Sequence, residues 1–357
     1  MKIAFIHNDK KIGTGAHYIN DLMSRKLRKS KLKIKNFYPR ISLVDAPNRL
    51  NGIKNILHFY SLLERRDEIL KYGIIQGTTY TPLPFLTYPV PVISHFGSTT
   101  RGFINTASEQ YFDSQKIKPL QDIADIEEYV AKKATAVIAT STNVKKELID
   151  MGVKEDNIHL IHNAIEDYWF KEESQEFVSE AGIVFLGRLG DDFFTLRLKG
   201  FDRLVKLYNH FPDVKKTTIC MSNRKSLITR MDKILNHVMF NNVQKDKIPN
   251  ILKPLKGSIL FLPSRYEGFS LSLVEGMSQG LVPVAYPVGV APEIIRNGKN
   301  GFLVHSQFEA IGKVKLLLSN KTFRENLSIE ASKTAQQFSS DKITQKLVNL
   351  YGSLYNC

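Results

Sequence analysis

The feature that most constrains this chain is a rhythm of short apolar runs alternating with amphipathic helical patterns, interrupted once near the middle and then resumed. KIAFIH (2–7) reads as a buried strand, followed by a helical pattern near Ala16–Leu27. LKIKNFY (32–38), GIIQG (73–77), PVISHFG (91–97), TAVIAT (135–140) and IHLIHNAI (158–165) read as further strands. Helical patterns over 53–70, 122–133 and 141–151 separate them, the last capped by Ser141. Strands alternating with helices imply right-handed βαβ units and a parallel sheet.

EDYWFKEESQEFVSE (166–180) breaks the rhythm and reads as a linker. Strands then follow at 182–187, 217–221, 237–242, 257–264 and 281–286. Helices are expected over 201–210, 227–235 and 270–279, from Pro292, over 311–318 and over 341–355. The fold class is α/β, with two doubly wound, Rossmann-like domains facing across a cleft. The first domain spans 1–165, the linker 166–180 and the second domain 181–340. Residues 341–357 form a helix expected to pack back toward the first domain. The length of 357 residues suits two domains. Ligands in such sheets bind beyond the carboxyl ends of the strands.

Composition narrows the function classes. Cys220 and Cys357 are the only cysteines. They cannot make a disulfide framework and lack metal-ligand spacing, so a reducing cytoplasm is the expected home. No signal peptide or membrane span is expected. The net charge of +15 is concentrated in Arg25, Lys26, Arg28, Lys29, Lys31, Lys33 and Lys35. Such a segment attracts an anionic membrane surface or nucleic acid, and it is equally what a solvated basic face looks like.

The second half carries the chemistry. In SRYEGFSLSLVEGMSQG (264–280), Glu267 sits in a turn, Gly268 permits close approach or a positive φ, and Phe269, Ser270 and Leu271 open a helix. Free N–H groups at a helix start bind phosphate, and carboxylates accept hydrogen bonds from sugar hydroxyls. Glu275 lies further along the same helix. Alone, two glutamates near a helix start are ordinary surface acids.

PSRYEGFSLSLVEGMSQGLVPV (263–284) resembles the E-x7-E block of the family 4 glycosyltransferases, which are retaining enzymes of the GT-B fold. Gly276 and Ser278 replace the usual alanines of that block. FLGRL (185–189) with Lys199-Gly200-Phe201, ATAVIATSTNVKKEL (134–148), IHNAI (161–165) and the stretch from Pro292 to Val304 resemble further blocks.

The resemblance implies that Arg188 and Lys199 hold the donor diphosphate, and the long loop 190–198 makes Arg197 a competitor. It implies that Glu267 faces the donor sugar, with the backbone of Gly268, Phe269, Ser270 and Leu271 beside it, and that Glu275 holds the ribose. Met239, Phe240 and Asn241 would lie near the nucleobase. Gly13 and Gly15 would approach the diphosphate, and His95 the donor sugar. Thr99, Thr100 and Arg101 would reach acceptor hydroxyls, and Asn163 would be structural. Ser222-Asn223-Arg224 stand where the family often has glycine.

The expected activity is retaining transfer of a sugar from a nucleotide donor, preferably UDP-linked, to a glycan or lipid-linked acceptor, as in surface polysaccharide or glycolipid synthesis. No cofactor and no metal are expected, since there is no D-x-D element; Asp191-Asp192 lie in the long loop. The expected location is cytoplasmic, peripheral on the inner face of the plasma membrane. The alternatives are a glycosyltransferase acting on nucleic acid or protein, and a catalytically inactive GT-B scaffold. The oligomeric state is left open.

Overall fold

The computed structural model describes residues 1–8, 15–30, 32–40, 54–106, 114–170, 176–190 and 193–355. The chain divides into two compact units. One comprises Met1–Ile104, Phe112–Ala164 and Ser340–Cys357, the other Asn105–Tyr111 and Ile165–Ser339. Each contains a six-stranded parallel sheet.

In the first unit the strands are β1 (Lys2–Ile6), β2 (Lys33–Phe37), β3 (Ile74–Thr78), β4 (Val92–Phe96), β5 (Ala136–Ala139) and β6 (Ile158–Leu160). Their order is β2-β1-β3-β4-β5-β6. The helices along this half of the chain are α1 (Gly15–Arg28), α2 (Lys54–Leu63), α3 (Arg66–Ile69), α4 (Thr100–Thr106), α5 (Ser114–Lys133) and α6 (Thr142–Asp150). Ser141 caps α6, its hydroxyl accepting the Val144 N–H at 3.2 Å, as its position before an apolar pattern predicts. α5 begins at Ser114, well before the expected 122; Pro119 within it is what hid the earlier start in the sequence.

In the second unit the strands are β7 (Ile183–Arg188), β8 (Lys216–Met221), β9 (His237–Asn241), β10 (Ile259–Leu262), β11 (Val282–Ala285) and β12 (Phe302–Leu303), in the order β12-β11-β10-β7-β8-β9. The helices are α7 (Phe193–Leu198), α8 (Phe201–His210), α9 (Lys225–Asp232), α10 (Ile248–Leu252), α11 (Leu271–Ser278), α12 (Ala291–Ile294), α13 (Gln307–Ser319) and α14 (Lys321–Ala335). Strand side chains alternate between two apolar layers. Ile183 and Phe185 join Leu204, Met231 and Val314 on one face. Val184 and Leu186 join Leu273, Met277 and Ala331 on the other. Each large apolar side chain buried this way contributes roughly 1.5–3 kcal/mol. The strands therefore read as continuous apolar runs, buried on both sides.

The segment expected as a linker is packed at its start: Trp169 is buried in the second unit's core, and its carbonyl accepts the Gln279 side-chain amide at 2.7 Å. The last helix, α15 (Ser340–Tyr355), belongs to the first unit, where it packs on α1. There the Tyr351 hydroxyl donates to Gln76 Oε1 at 2.7 Å. Among the described residues, no helix is long and apolar enough to cross a membrane.

Candidate functional site

Most of the candidate residues fall in the second unit, where α7 and α8 meet the turn leaving β10. Lys199 closes α7 and is followed by Gly200, which adopts φ +68°. A Cβ on Gly200 would lie 2.0 Å from the Pro263 carbonyl oxygen, so this contact requires glycine. The close approach puts Lys199 beside the β10 turn. Its Nζ donates to both carboxylate oxygens of Glu267, at 2.8 and 2.9 Å. The Ser264 hydroxyl donates to Glu267 Oε1 at 2.8 Å. Ser264 was missed by sequence reasoning, although it stands at the head of the 264–280 segment.

Arg197 is turned elsewhere. It pairs with Asp202 at 2.9 Å. Arg265 grips the same carboxylate through two bonds of 2.7 Å, and its other contacts are the Arg197 carbonyl at 2.9 Å and, through its own N–H, the Leu198 carbonyl at 2.7 Å. Burial alone would raise the Asp202 carboxyl; the Arg265 bonds and the charge of Arg197 outweigh it and hold the group below its ordinary range. Arg203 stacks on Tyr286, 3.8 Å from the ring centroid, and donates to the Pro263 carbonyl at 3.1 Å. Asp202, Arg203 and Arg265 thus tie the lysine-bearing segment to the glutamate-bearing turn. Nothing in the local pattern of charges marks them.

Beyond Glu267 the chain enters α11. The left-handed residue expected at Gly268 is Ser270, at φ +78° and ψ +73°. A non-glycine residue there stores roughly 1–3 kcal/mol of strain, a cost typical of ligand-binding turns. Ser270 makes no side-chain capping bond, and the first turn of α11 holds no acid. This helix start therefore keeps the positive end of its dipole uncompensated. Gly289, at φ +59°, lies under the turn: a Cβ there would meet the Phe269 oxygen at 2.6 Å and the Glu267 Cβ at 3.0 Å.

Glu275 is almost fully buried in α11, and its Oε1 lies 2.7 Å from Lys245 Nζ. Lys245 had no sequence signal. Gly276 lets α11 sit close on β10, since a Cβ would fall 2.5 Å from Leu260 Cδ2. Arg188 is exposed at the end of β7.

Met239 and Phe240 are partly buried and pack into the layers on opposite faces of the sheet. Asn241 is committed locally: its Oδ1 accepts the Ser222 N–H at 3.0 Å and its Nδ2 donates to the Ser222 carbonyl at 2.7 Å. The Ser222 hydroxyl in turn donates to the Gly190 carbonyl at 3.1 Å. Ser222, which stands in the place of glycine, and Asn241 thus build a braced turn at the ends of β8 and β9.

In the first unit, His95 is buried on β4 and hydrogen-bonded to Asn163. Burial pushes its imidazole down to about 4 against that bond, so the ring is neutral at physiological pH. Gly15 opens α1; Gly13 lies outside the described residues. The residues expected to reach an acceptor are largely occupied. Thr99 donates to Glu147 at 2.6 Å, Arg101 pairs with Glu128 at 2.7 Å, and the Thr100 N–H is held by Glu127 at 2.7 Å. Burial raises the Glu127 carboxyl to about 7.

The basic segment is partly neutralised. Arg25 pairs with Asp21, Lys26 with Asp341 and Lys35 with Glu68. Arg28, Lys29 and Lys33 are exposed, and Lys31 lies outside the described residues.

Two family models match the chain: "Glycosyl transferases group 1" over residues 170–334 and "Glycosyltransferase Family 4" over residues 26–167. The chain belongs to glycosyltransferase family 4. This family 4 chain is 27% identical over 241 residues to an uncharacterized 41.2 kDa protein in the cps region of Klebsiella pneumoniae. The match takes in 64% of this chain and 63% of that relative, so the chain spans under two thirds of the relative's length. Among solved structures, sucrose-phosphate synthase from Thermosynechococcus elongatus superposes with a TM-score of 0.80 at 16% identity, covering 100% of this chain and 99% of that one. Anabaena HepE in complex with UDP-glucose gives 0.71 at 18% identity, with 99% and 100% covered. The fold is that of the GT-B glycosyltransferases, as the sequence led one to expect.

Proposed function

We propose that this chain transfers a sugar, with retention of configuration, from a UDP-sugar to a glycan or lipid-linked acceptor in the making of a surface polysaccharide or glycolipid. The observation that carries the reading is the clasp of Glu267 by Lys199 and Ser264, set beside an uncapped, acid-free helix start. Lys199 has three N–H donors, and two are spent on Glu267. The third is left for a donor phosphate oxygen. Glu267 retains lone pairs for the sugar hydroxyls, the backbone at Gly268–Leu271 faces phosphate or sugar, and Glu275 takes the ribose. Arg188, exposed at the end of β7, supplies a second cation for the charge that grows on the departing diphosphate.

In this reading the bond from the anomeric carbon to the diphosphate breaks while the acceptor oxygen bonds on the same face, and the leaving phosphate oxygen takes the acceptor proton. No side-chain base is required, and the fixed cations do the work a metal would do. UDP is chosen because a solved neighbour of the same fold carries UDP-glucose. A surface-glycan acceptor is chosen because a solved neighbour of the same fold is a lipopolysaccharide outer core galactosyltransferase. Arg28, Lys29 and Lys33 offer exposed charge to an anionic membrane surface, bound peripherally.

The test is a thermal-shift panel of UDP- and GDP-sugars followed by product analysis in excess EDTA. A UDP-sugar should raise the melting temperature, and transfer should be unaffected by the chelator. A preparation that responds to no nucleotide sugar refutes the reading, and one silenced by EDTA refutes its metal-free form.

A further inference from the structure

The edge of the first unit's sheet formed by the amino ends of its strands carries a second site. A pocket of about 520 Å³ opens there, lined by Lys2, Lys33, Lys71, Tyr72 and Tyr355 among others. That volume lies within the ordinary range of small-ligand sites. The fold explains how the lysines converge. Lys2 and Lys33 begin β1 and β2 and stand directly opposite one another in the parallel register. Lys71 lies in the turn before β3, held against β1 by the Gly73 N–H donating to the Lys2 carbonyl at 3.0 Å.

Tyr355, at the end of α15, closes one wall: a Cβ on Gly73 would sit 2.8 Å from its ring. Tyr72 is fixed by an edge-on contact with Phe37, 5.5 Å between centroids. Among the described residues, no carboxylate side chain lines the pocket. Lys2, Lys33 and Lys71 make no ion pair among those residues, whereas neighbouring Lys35, Arg65 and Arg66 each have an acid.

Like charges placed side by side on adjacent strands destabilise the pairing. Three cations gathered in one concavity without a counter-charge are best accounted for by an anionic occupant. We propose that this pocket binds a multiply charged, phosphate-bearing anion, with the lysines on the phosphates and the tyrosine rings against the rest of the molecule. The site lies in the first unit, on the sheet edge remote from strand carboxyl ends, and does not rest on the donor reading. The phosphate is either free in solution or carried on a lipid headgroup, and the two sources are separable.

The experiment is amine footprinting of the full chain. Lysines are acetylated under limiting reagent and quantified by mass spectrometry, with inorganic tripolyphosphate as one probe and vesicles of phosphatidylcholine containing phosphatidylglycerol as the other. Lys2, Lys33 and Lys71 should be protected together with a common midpoint, while exposed Lys118 and Lys154 are not. Protection by tripolyphosphate supports a soluble ligand, and protection by vesicles alone supports a headgroup. The Lys33→Gln and Lys71→Gln variants should each shift the midpoint about fivefold, the worth of one charge contact at a solvent-accessible site. Protection spread evenly over all exposed lysines, or none with either probe, overturns the proposal.

Discussion

The contact between Gly200 and Pro263 offers a sharp test of how the site is built, through Gly200→Ala. Two costs add. Alanine at φ +68° costs about 1–2 kcal/mol relative to glycine. The new Cβ would also lie 2.0 Å from the Pro263 oxygen. A relaxed carbon–oxygen contact is about 3.3 Å, so the turn or the start of α8 must move by roughly 1.3 Å. Glu267 is four residues beyond Pro263 and is held by Lys199, the neighbour of Gly200. Both ends of the clasp therefore sit at the point of displacement.

A misplacement near 1 Å costs roughly 100-fold in rate. Gly298→Ala is the matched control, since Gly298 adopts φ +73° and a Cβ there would meet nothing within 4 Å. The control should lose about 1 kcal/mol, roughly 2–4 °C in Tm, and keep its turnover. Gly200→Ala should lose more stability and about two orders of magnitude in kcat/KM with the UDP-sugar that gives the largest thermal shift. If the two variants behave alike in both assays, the close approach does not set the clasp and the reasoning fails.

Three further outcomes are expected. Lys199→Ala should lower kcat/KM by roughly 10²–10³, as for loss of a charge-stabilising donor, whereas Arg197→Ala should stay within tenfold; equal losses would remove the distinction between them. Glu275→Gln should leave Lys245 without its 2.7 Å partner and weaken UDP binding at least tenfold by calorimetry, and unchanged affinity would refute the ribose role. His95 titrates near 4 when folded and near 6.5 when unfolded, so the unfolded chain takes up the extra proton and stability falls as pH drops through that window. Against His95→Gln, the wild-type advantage in denaturant unfolding should shrink by about 2 kcal/mol from pH 7 to pH 5; a constant advantage would contradict a buried, neutral ring.

Much of the fold was legible because parallel strands buried on both faces announce themselves as apolar runs; α8 falls where the pattern placed it, at Phe201–His210. Helix α14 was not legible. It buries Leu327, Ser328, Ala331 and Ala335, together with Arg324, whose guanidinium donates to the Leu317 carbonyl at 2.7 Å. Small and polar residues make a stripe that periodicity does not detect; the Asn320 cap was its one local sign. Within the candidate site, Glu267, Glu275 and Lys199 were readable from spacing and resemblance. Ser270 as the strained residue was not, because glycine two positions earlier is the better candidate on intrinsic grounds. Lys245 escaped notice because its partner Glu275 is 30 residues away along the chain, and Asp202 because Arg265, which grips it alongside the nearby Arg197, is 63 residues away; only the packed turns bring these pairs together.

The return of α15 to the first unit has a consequence for biosynthesis. The ribosome releases residues 165–339 before it releases the helix that covers α1. The second sheet can therefore mature while the first still lacks Leu347, Leu350 and Tyr351 from its packing. For that interval the amino-terminal half is an unfinished body with an open apolar flank, and a stop codon near position 340 would make the condition permanent.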